Sequence, residues 1–319
     1  RILAPQPYMI AILNKLYLHS KNFSSLNLKF KKIKEKTEIE KIFKAVEQFS
    51  DPSEIRYVGG CVRKIINNEL VEDIDLAVNL SPSEVSKVLK KNNIKSYETG
   101  IEHGTITALI NQNKFEITSL RKDIATDGRH AKVEFLNDWQ EDASRRDFSI
   151  NSIYADIDGN LFDPFNGKED LENGEIKFIG NAEKRIKEDY LRILRYIRFF
   201  LNYSKKKHNV KVTRIIKKNL QGFSKISPER LLDEFKKLVR SKGFLKLTKD
   251  KFCFEIINLI FPQFKNLSIF RNLNSFAKDN IKNVDFIFLI SLMIIDGSDN
   301  VDYFIYKFNI SKKDQKRLL

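Results

Sequence analysis

The sequence predicts an α+β protein, a head built on a mixed β-sheet followed by an all-helical remainder. Two observations carry this. Between Tyr57 and Thr118 short apolar-alternating runs recur, at Tyr57–Val58, Ile74–Val78, Lys95–Tyr97, Ile106–Ile110 and Lys114–Thr118, separated by turn-forming or helix-starting residues. Beyond Gly180 the apolar residues Ile186, Leu191, Leu194, Ile197, Ile215, Leu231 and Leu238 recur at helical spacing, with no convincing strand to the end.

In chain order, residues 1–50 read as N-terminal helices packing on the head. Ile10, Leu13 and Leu16 share one face, a basic patch runs from Lys29 to Lys36, and Ile39, Ile42, Phe43 and Val46 form a second stripe. Residues 51–157 form the head. Within it Gly59-Gly60 follows an apolar entry and opens a short helix over Val62–Asn67, and Ser81-Pro82-Ser83-Glu84 is a helix start with Ser81 as N-cap. Arg121 to His130 is polar and turn-rich, a candidate mobile loop containing Arg121, Asp127 and Arg129. Glycine and proline punctuate Asp158–Gly180, so a helical neck is expected over 158–240 and a helical body over 241–319.

The formal net charge is +15, unevenly spread: residues 51–160 hold 14 Lys/Arg against 19 Asp/Glu, a net of −5, whereas 161–319 hold 33 against 19, a net of +14. A cation suits the first segment and a polyanion the second. The only cysteines are Cys61 and Cys253, and His19, His103, His130 and His208 lack metal-ligand spacing. Neither a disulfide framework nor a zinc site is expected, and a reducing compartment fits, cytoplasm or organelle matrix. The longest apolar run, Phe286–Ile295 interrupted by Ser291, is too short to span a bilayer and reads as a core helix, so no membrane partner is expected. The chain starts without Met, and Lys312–Leu319 reads as an unfinished helix; a longer natural protein is expected.

Chemistry concentrates at Asp73-Ile-Asp75. On a strand, residues two apart share a face, so both carboxylates project together while Ile74 and Leu76 enter the core. Two adjacent carboxylates repel unless a cation lies between them, and a hard divalent ion such as Mg²⁺ meets that need together with substrate phosphates. Gly59 and Gly60 allow close approach of backbone amides to an anion, and Arg63 adds a fork of donors. A lone Asp-x-Asp is more often solvated turn chemistry; the combination at this short separation points to a metal-bound triphosphate. Glu116, between Phe115 and Ile117, becomes a third carboxylate if its strand neighbours the Asp-x-Asp strand. Arg145-Arg146-Asp147 suits a phosphate and a sugar hydroxyl, or a surface charge cluster.

Taken together, GGCVR at 59–63, DID at 73–75, RRDFSIN at 145–151, DPFNGKEDL at 163–171, EDYLRILR at 188–195 and SPERLLDEFKKLV at 227–239 resemble the motifs of class II CCA-adding tRNA nucleotidyltransferases. That superfamily also holds bacterial poly(A) polymerases. The resemblance covers about residues 57–240 in family order and implies a nucleotidyltransferase-type head with helical neck and body. It implies that Asp73 and Asp75 bind two Mg²⁺ ions with Glu116 as third carboxylate, that Gly59, Gly60, Arg63 and Arg146 hold the triphosphate, and that Asp147 handles the ribose. An RNA 3′-hydroxyl then attacks the α-phosphate and releases pyrophosphate.

Asp189 and Arg192, three apart on an expected continuous helix, would project from one face. Their acceptor and donor complement the amine and ring nitrogen shared by cytosine and adenine. Two mismatched groups at about 1–3 kcal/mol each would exclude U and G by roughly 30-fold to 10⁴-fold. Glu188, Arg195 and Arg145 are expected to support the site; a helix laced with salt bridges is the plainer reading of 188–195. Tyr190 stands where many family members have proline. Implied partners are ATP, CTP and tRNA, held by its acceptor and T arms on the basic helical region, with oligomeric state undetermined. Rival readings are a poly(A) polymerase, a non-catalytic RNA-binding derivative and an Asp-x-Asp glycosyltransferase. Gly100–Thr105 resembles the CCA-adding form, the intact 121–130 segment argues against addition of CC only, and the three carboxylates speak against a dead enzyme.

Overall fold

The computed structural model describes residues 26–100, 104–126 and 131–318. The chain divides into two compact units, one of Arg1–Ile124 with Val133–Lys168 and one of Ala125–Lys132 with Glu169–Leu319. Ile10, Leu13, Leu16, His19, His103, Asp127, Arg129 and His130 lie outside the described residues.

The first unit opens with helix α1 over 26–37 and α2 (Glu40–Glu47). It continues through β1 (Ile55–Val58), α3 (Gly60–Ile66), β2 (Ile74–Val78), α4 (Pro82–Lys91), β3 (Lys95–Gly100), β4 (Thr105–Ile110) and β5 (Asn113–Ser119). Next come β6 (Arg121–Thr126), β7 (Ala131–Phe135), α5 (Trp139–Ser144), β8 (Tyr154–Ala155) and β9 (Leu161–Phe162). Seven strands form a sheet in the order β3-β4-β5-β2-β1-β8-β9, and β6 pairs with β7 in a separate two-stranded sheet. The β2–β5 pair is parallel and its neighbours are antiparallel, so the sheet is mixed as expected.

Strand alternation decides which face does what. Tyr57, Leu76, Phe115 and Ile117 point into a core that also takes Leu26 and Phe30 of α1, Ile42, Phe43 and Val46 of α2, and Val85, Val88 and Leu89 of α4. Lysines occupy most of the solvent side of α1, so its apolar face has one place to go. At α4 the reciprocal capping box between Ser81 and Glu84 forms as the sequence indicated. The opposite sheet face carries a smaller cluster of Val58, Ala77, Leu120, Ala143 and Tyr154.

Three expectations change. Arg121–Thr126 is a strand rather than a loop arm, because its backbone finds a partner in β7. The boundary expected at 157/158 falls inside the β8–β9 hairpin, whose turn uses Gly159 at φ +90°; the first unit runs on to Lys168. The boundary expected at 240/241 is bridged by ring packing, Phe235 against Phe261 at 5.0 Å and Phe264 at 4.7 Å.

From Glu169 on the second unit is helical: α6 (Gly167–Asn173) leads into it, followed by α7 (Ala182–Glu188), α8 (Arg192–Tyr203), α9 (Val210–Lys218), α10 (Pro228–Val239) and α11 (Lys251–Ile260). Then come α12 (Ser275–Asn280), α13 (Phe286–Ile294), α14 (Asn300–Lys307) and α15 (Lys312–Leu318). Helix α13 buries Leu289, Ile290, Met293 and Ile294 on one face and exposes Phe288 on the other, so the apolar run is a core helix on one side only. No helix among the described residues is long and apolar enough to cross a membrane.

Candidate active site

Parallel pairing of β2 with β5 sets Asp75 directly opposite Glu116. Both face away from the large core, since Ile74 and Leu76 on one strand and Phe115 and Ile117 on the other are buried there. Asp73 immediately precedes β2, and its charge acts on Asp75. The three carboxylates expected from the sequence therefore meet, on a strand adjacency the sequence left conditional. Burial, then the Glu116 charge, raises the pKa of Asp75, and Arg146 only partly offsets this. A group of carboxylates held together with so little compensation is a donor set suited to a hard divalent cation.

Gly60 lies between the carboxylates and the basic residues: a Cβ there would sit 3.9 Å from Arg63 Nη2 and 3.9 Å from Asp75 Oδ2. Gly59 adopts φ +68°, the left-handed conformation that favours glycine. Its amide, expected to face phosphate, instead donates to Ile153 O at 3.1 Å. Arg63 is buried and donates to Asn151 Oδ1. Asn151 Nδ2 in turn donates to Asp147 Oδ1 at 2.8 Å, and the same oxygen accepts the Phe148 amide at 2.9 Å. Asp147, expected at a ribose, is thus buried and holds Arg63 through Asn151.

Asp142 went unremarked in the sequence, yet it organises this side of the site. Its Oδ1 accepts from Arg145 Nε at 2.9 Å, Arg145 Nη2 at 2.8 Å and the Arg121 amide at 3.2 Å. Its Oδ2 accepts from Arg146 Nη2 at 3.1 Å and from the Tyr154 hydroxyl at 2.6 Å. Burial alone would raise its pKa; Arg146, Arg145 and the Tyr154 hydroxyl outweigh that and hold it well below the carboxylate range. Arg146 Nε also donates to Tyr154 Oη at 3.0 Å, and a Cβ on Gly59 would meet Arg146 Nη1 at 3.4 Å. Spacings of three and four residues from Asp142 to Arg145 and Arg146 were the available signal.

Beside Asp73 lies a cleft of about 660 Å³ lined by Lys29, Lys32, Lys36 and Lys114, which places part of the basic patch of α1 next to Asp73, while Asp75 and Glu116 do not line it.

In the second unit, the expected continuous helix through Asp189 and Arg192 breaks. Helix α7 ends at Glu188, Asp189 is extended (φ −153°, ψ 107°), and α8 starts at Arg192. The cause is local: Asp189 Oδ1 accepts the Leu191 amide at 3.1 Å, a bond that competes with continuing the helix. Oδ2 accepts from Arg230 Nη2 at 2.7 Å, a partner 41 residues away that no local spacing indicated. Arg192 Nη1 donates to Glu188 Oε2 at 2.6 Å and to Arg185 O at 2.6 Å. Glu188 also binds Arg185, while Arg195 lies 3.8 Å from Glu234. The ring of Tyr190 packs on Gly222, where a Cβ would collide with it.

Residues 55–177 match the Poly A polymerase head domain. The human mitochondrial CCA tRNA nucleotidyltransferase 1 is 46% identical over 189 residues, which are 58% of this chain and 44% of that protein. The CCA-adding enzyme of Lactobacillus johnsonii is 37% identical over 195 residues, 60% of this chain and 48% of that one. The chain thus carries the Poly A polymerase head domain over residues 55–177. It spans about half the length of the curated family members it matches. The fold extends the likeness: a Bacillus stearothermophilus CCA-adding enzyme solved with CTP aligns at TM-score 0.64 with 23% identity over 87% of this chain and 66% of that one. An apo CCA-adding enzyme aligns at TM-score 0.69 with 20% identity, covering 88% and 70%. The mixed sheet and the helices after it are thus both part of the fold that this chain shares with those structures.

Proposed function

We propose that this chain is a CCA-adding tRNA nucleotidyltransferase, transferring C, C and A from CTP and ATP to a tRNA 3′ end without a nucleic-acid template. The observation that carries the reading is the Asp75–Glu116 register with Asp73 alongside, within a head domain shared with curated CCA-adding enzymes. Asp73 and Asp75, with Glu116, would hold Mg²⁺, which supplies activation of the attacking 3′-oxygen and stabilisation of the leaving pyrophosphate.

The remaining roles belong to the chain itself. Arg63, fixed by Asn151 and Asp147, and Arg146, fixed by Asp142 and Tyr154, present cationic forks to the triphosphate. Because each is already held, little side-chain entropy is lost on binding. Asp189 and Arg192 select the base from either side of the α7–α8 junction, clamped by Arg230 and Glu188. Lysines of the helical unit and of the cleft beside Asp73 track RNA phosphates, so binding weakens as salt rises. Two buried free thiols fit a reducing compartment, cytoplasm or organelle matrix.

The deciding experiment offers tRNA transcripts ending before CCA, after C and after CC, with each triphosphate and Mg²⁺. Stepwise C, C, A addition that then stops is expected. Long A tails on any RNA would move the activity to poly(A) polymerase. Arg192→Ala is expected to raise misincorporation of U and G by roughly tenfold or more while changing triphosphate affinity less. Unchanged misincorporation would remove Arg192 from base selection.

A further inference from the structure

The histidines show no ligand spacing in the sequence, yet the fold of the helical unit gathers His208, Asp250 and Cys253, with one candidate ligand atom from each lying within 4.8 Å of the others. His208 Nε2 lies 3.1 Å from both Asp250 carboxylate oxygens and 3.7 Å from Cys253 Sγ. Tetrahedral coordination with Zn–S near 2.3 Å and Zn–N and Zn–O near 2.0–2.1 Å separates sulfur from nitrogen by about 3.6 Å and nitrogen from oxygen by about 3.4 Å. The observed separations are close to both.

We propose that His208, Asp250 and Cys253 form a metal site for a borderline-soft divalent cation of the zinc type. Imidazole and thiolate donors suit such an ion and disfavour Mg²⁺, which takes hard oxygen ligands. Three protein ligands leave a fourth position for water, and the partial exposure of His208 (15%) and Asp250 (23%) gives the ion a route in.

The surroundings already orient the ligands. Tyr196 Oη lies 3.0 Å from His208 Nδ1, so the ring nitrogen turned away from the cluster has a polar partner that can accept a hydrogen bond from Nδ1–H when Nε2 gives its lone pair to the metal. The imidazole stacks on Phe200 at 3.6 Å between centroids and an interplanar angle of 15°, which fixes the ring plane. Asp250 caps α11 by accepting the Cys253 amide at 2.9 Å, bringing its carboxylate to the sulfur's side of that helix. Binding replaces the contact between His208 Nε2 and Asp250 and releases the Cys253 thiol proton to solvent. The result is a tie between the segment before α9 and the start of α11, 42 residues apart.

The test uses the full chain stripped with a chelator and titrated with Co²⁺ in excess Mg²⁺, which occupies the carboxylate site. A thiolate-to-cobalt charge-transfer band, displaced by Zn²⁺, is expected for the wild type and for Cys61→Ser. Loss of the band is expected for Cys253→Ser and for His208→Gln. In parallel, Zn²⁺ should raise the thermal midpoint of the wild type and leave that of His208→Gln unmoved. Absence of the band in the wild type, its survival in Cys253→Ser, or an equal zinc-dependent shift in His208→Gln would overturn the proposal and leave a hydrogen-bonded histidine–aspartate pair. Should Cys253→Ser fail to fold, His208→Gln decides alone.

Discussion

Asp75 and Asp142 share one neighbour, Arg146, and differ in almost everything else around them. Asp142 is buried with both oxygens occupied, by Arg145, Arg146, the Tyr154 hydroxyl and the Arg121 amide. Asp75 faces Glu116 across the β2–β5 pair and feels Asp73 before it. One carboxylate is held far below its ordinary pKa and the other is pushed above it. Where charges are matched, the fold is completed. Where like charges are held together, stability is given up for a place that a cation can fill.

Asp75→Asn should test this contrast most severely. Loss of a hydrogen-bond partner behind a metal ligand typically costs a metal site about 10–100-fold, so loss of the direct ligand proposed at Asp75 should lower the proposed nucleotide addition by more than about 100-fold. The same change should raise the metal-free unfolding midpoint, since it removes a half-buried charge facing Glu116. An active variant, or one less stable than the wild type without metal, would break the comparison at Asp75.

Asp142→Asn should do the opposite to stability, costing about 3–5 kcal/mol by leaving Arg145 and Arg146 under-compensated. The direction with pH follows from the depressed folded value. The stabilisation is fully present above the unfolded pKa, about 3.9, and is lost as pH falls through the lower folded one. The deficit of the variant, measured by denaturant unfolding, should be full at neutral pH and shrink only in strong acid. A deficit that does not change with pH would show that Asp142 acts through shape rather than charge.

The smallest effect sharpens rather than breaks the contrast. Glu116→Gln removes a like charge opposite Asp75, so the Asp75 pKa should fall and the acid limb of the addition rate should move to lower pH, even as the plateau rate drops. A limb that stays in place would assign it to another group.

Much of this site was legible in the sequence because its signals are short-range. The alternation around Ile74 and Leu76 put Asp75 on the face away from the core, the Ser81–Glu84 capping box announced α4, and the motifs at 59–63, 73–75 and 145–151 indicated the head domain. The residue pattern also predicted the change from sheet to helices. What it could not supply were pairings between distant segments. That β5 lies beside β2, in the register that sets Glu116 opposite Asp75, follows from which apolar faces close over one core, and only the assembled sheet fixes that. The break at Asp189 reflects one side-chain bond to Leu191 overriding helix periodicity, backed by a cation from α10. His208 meets Asp250 and Cys253, 42 and 45 residues further on, because its ring packs on Phe200 of α8 and Phe252 of α11. Residue type and local period settled which groups were available; burial of apolar surface between remote segments determined which of them meet.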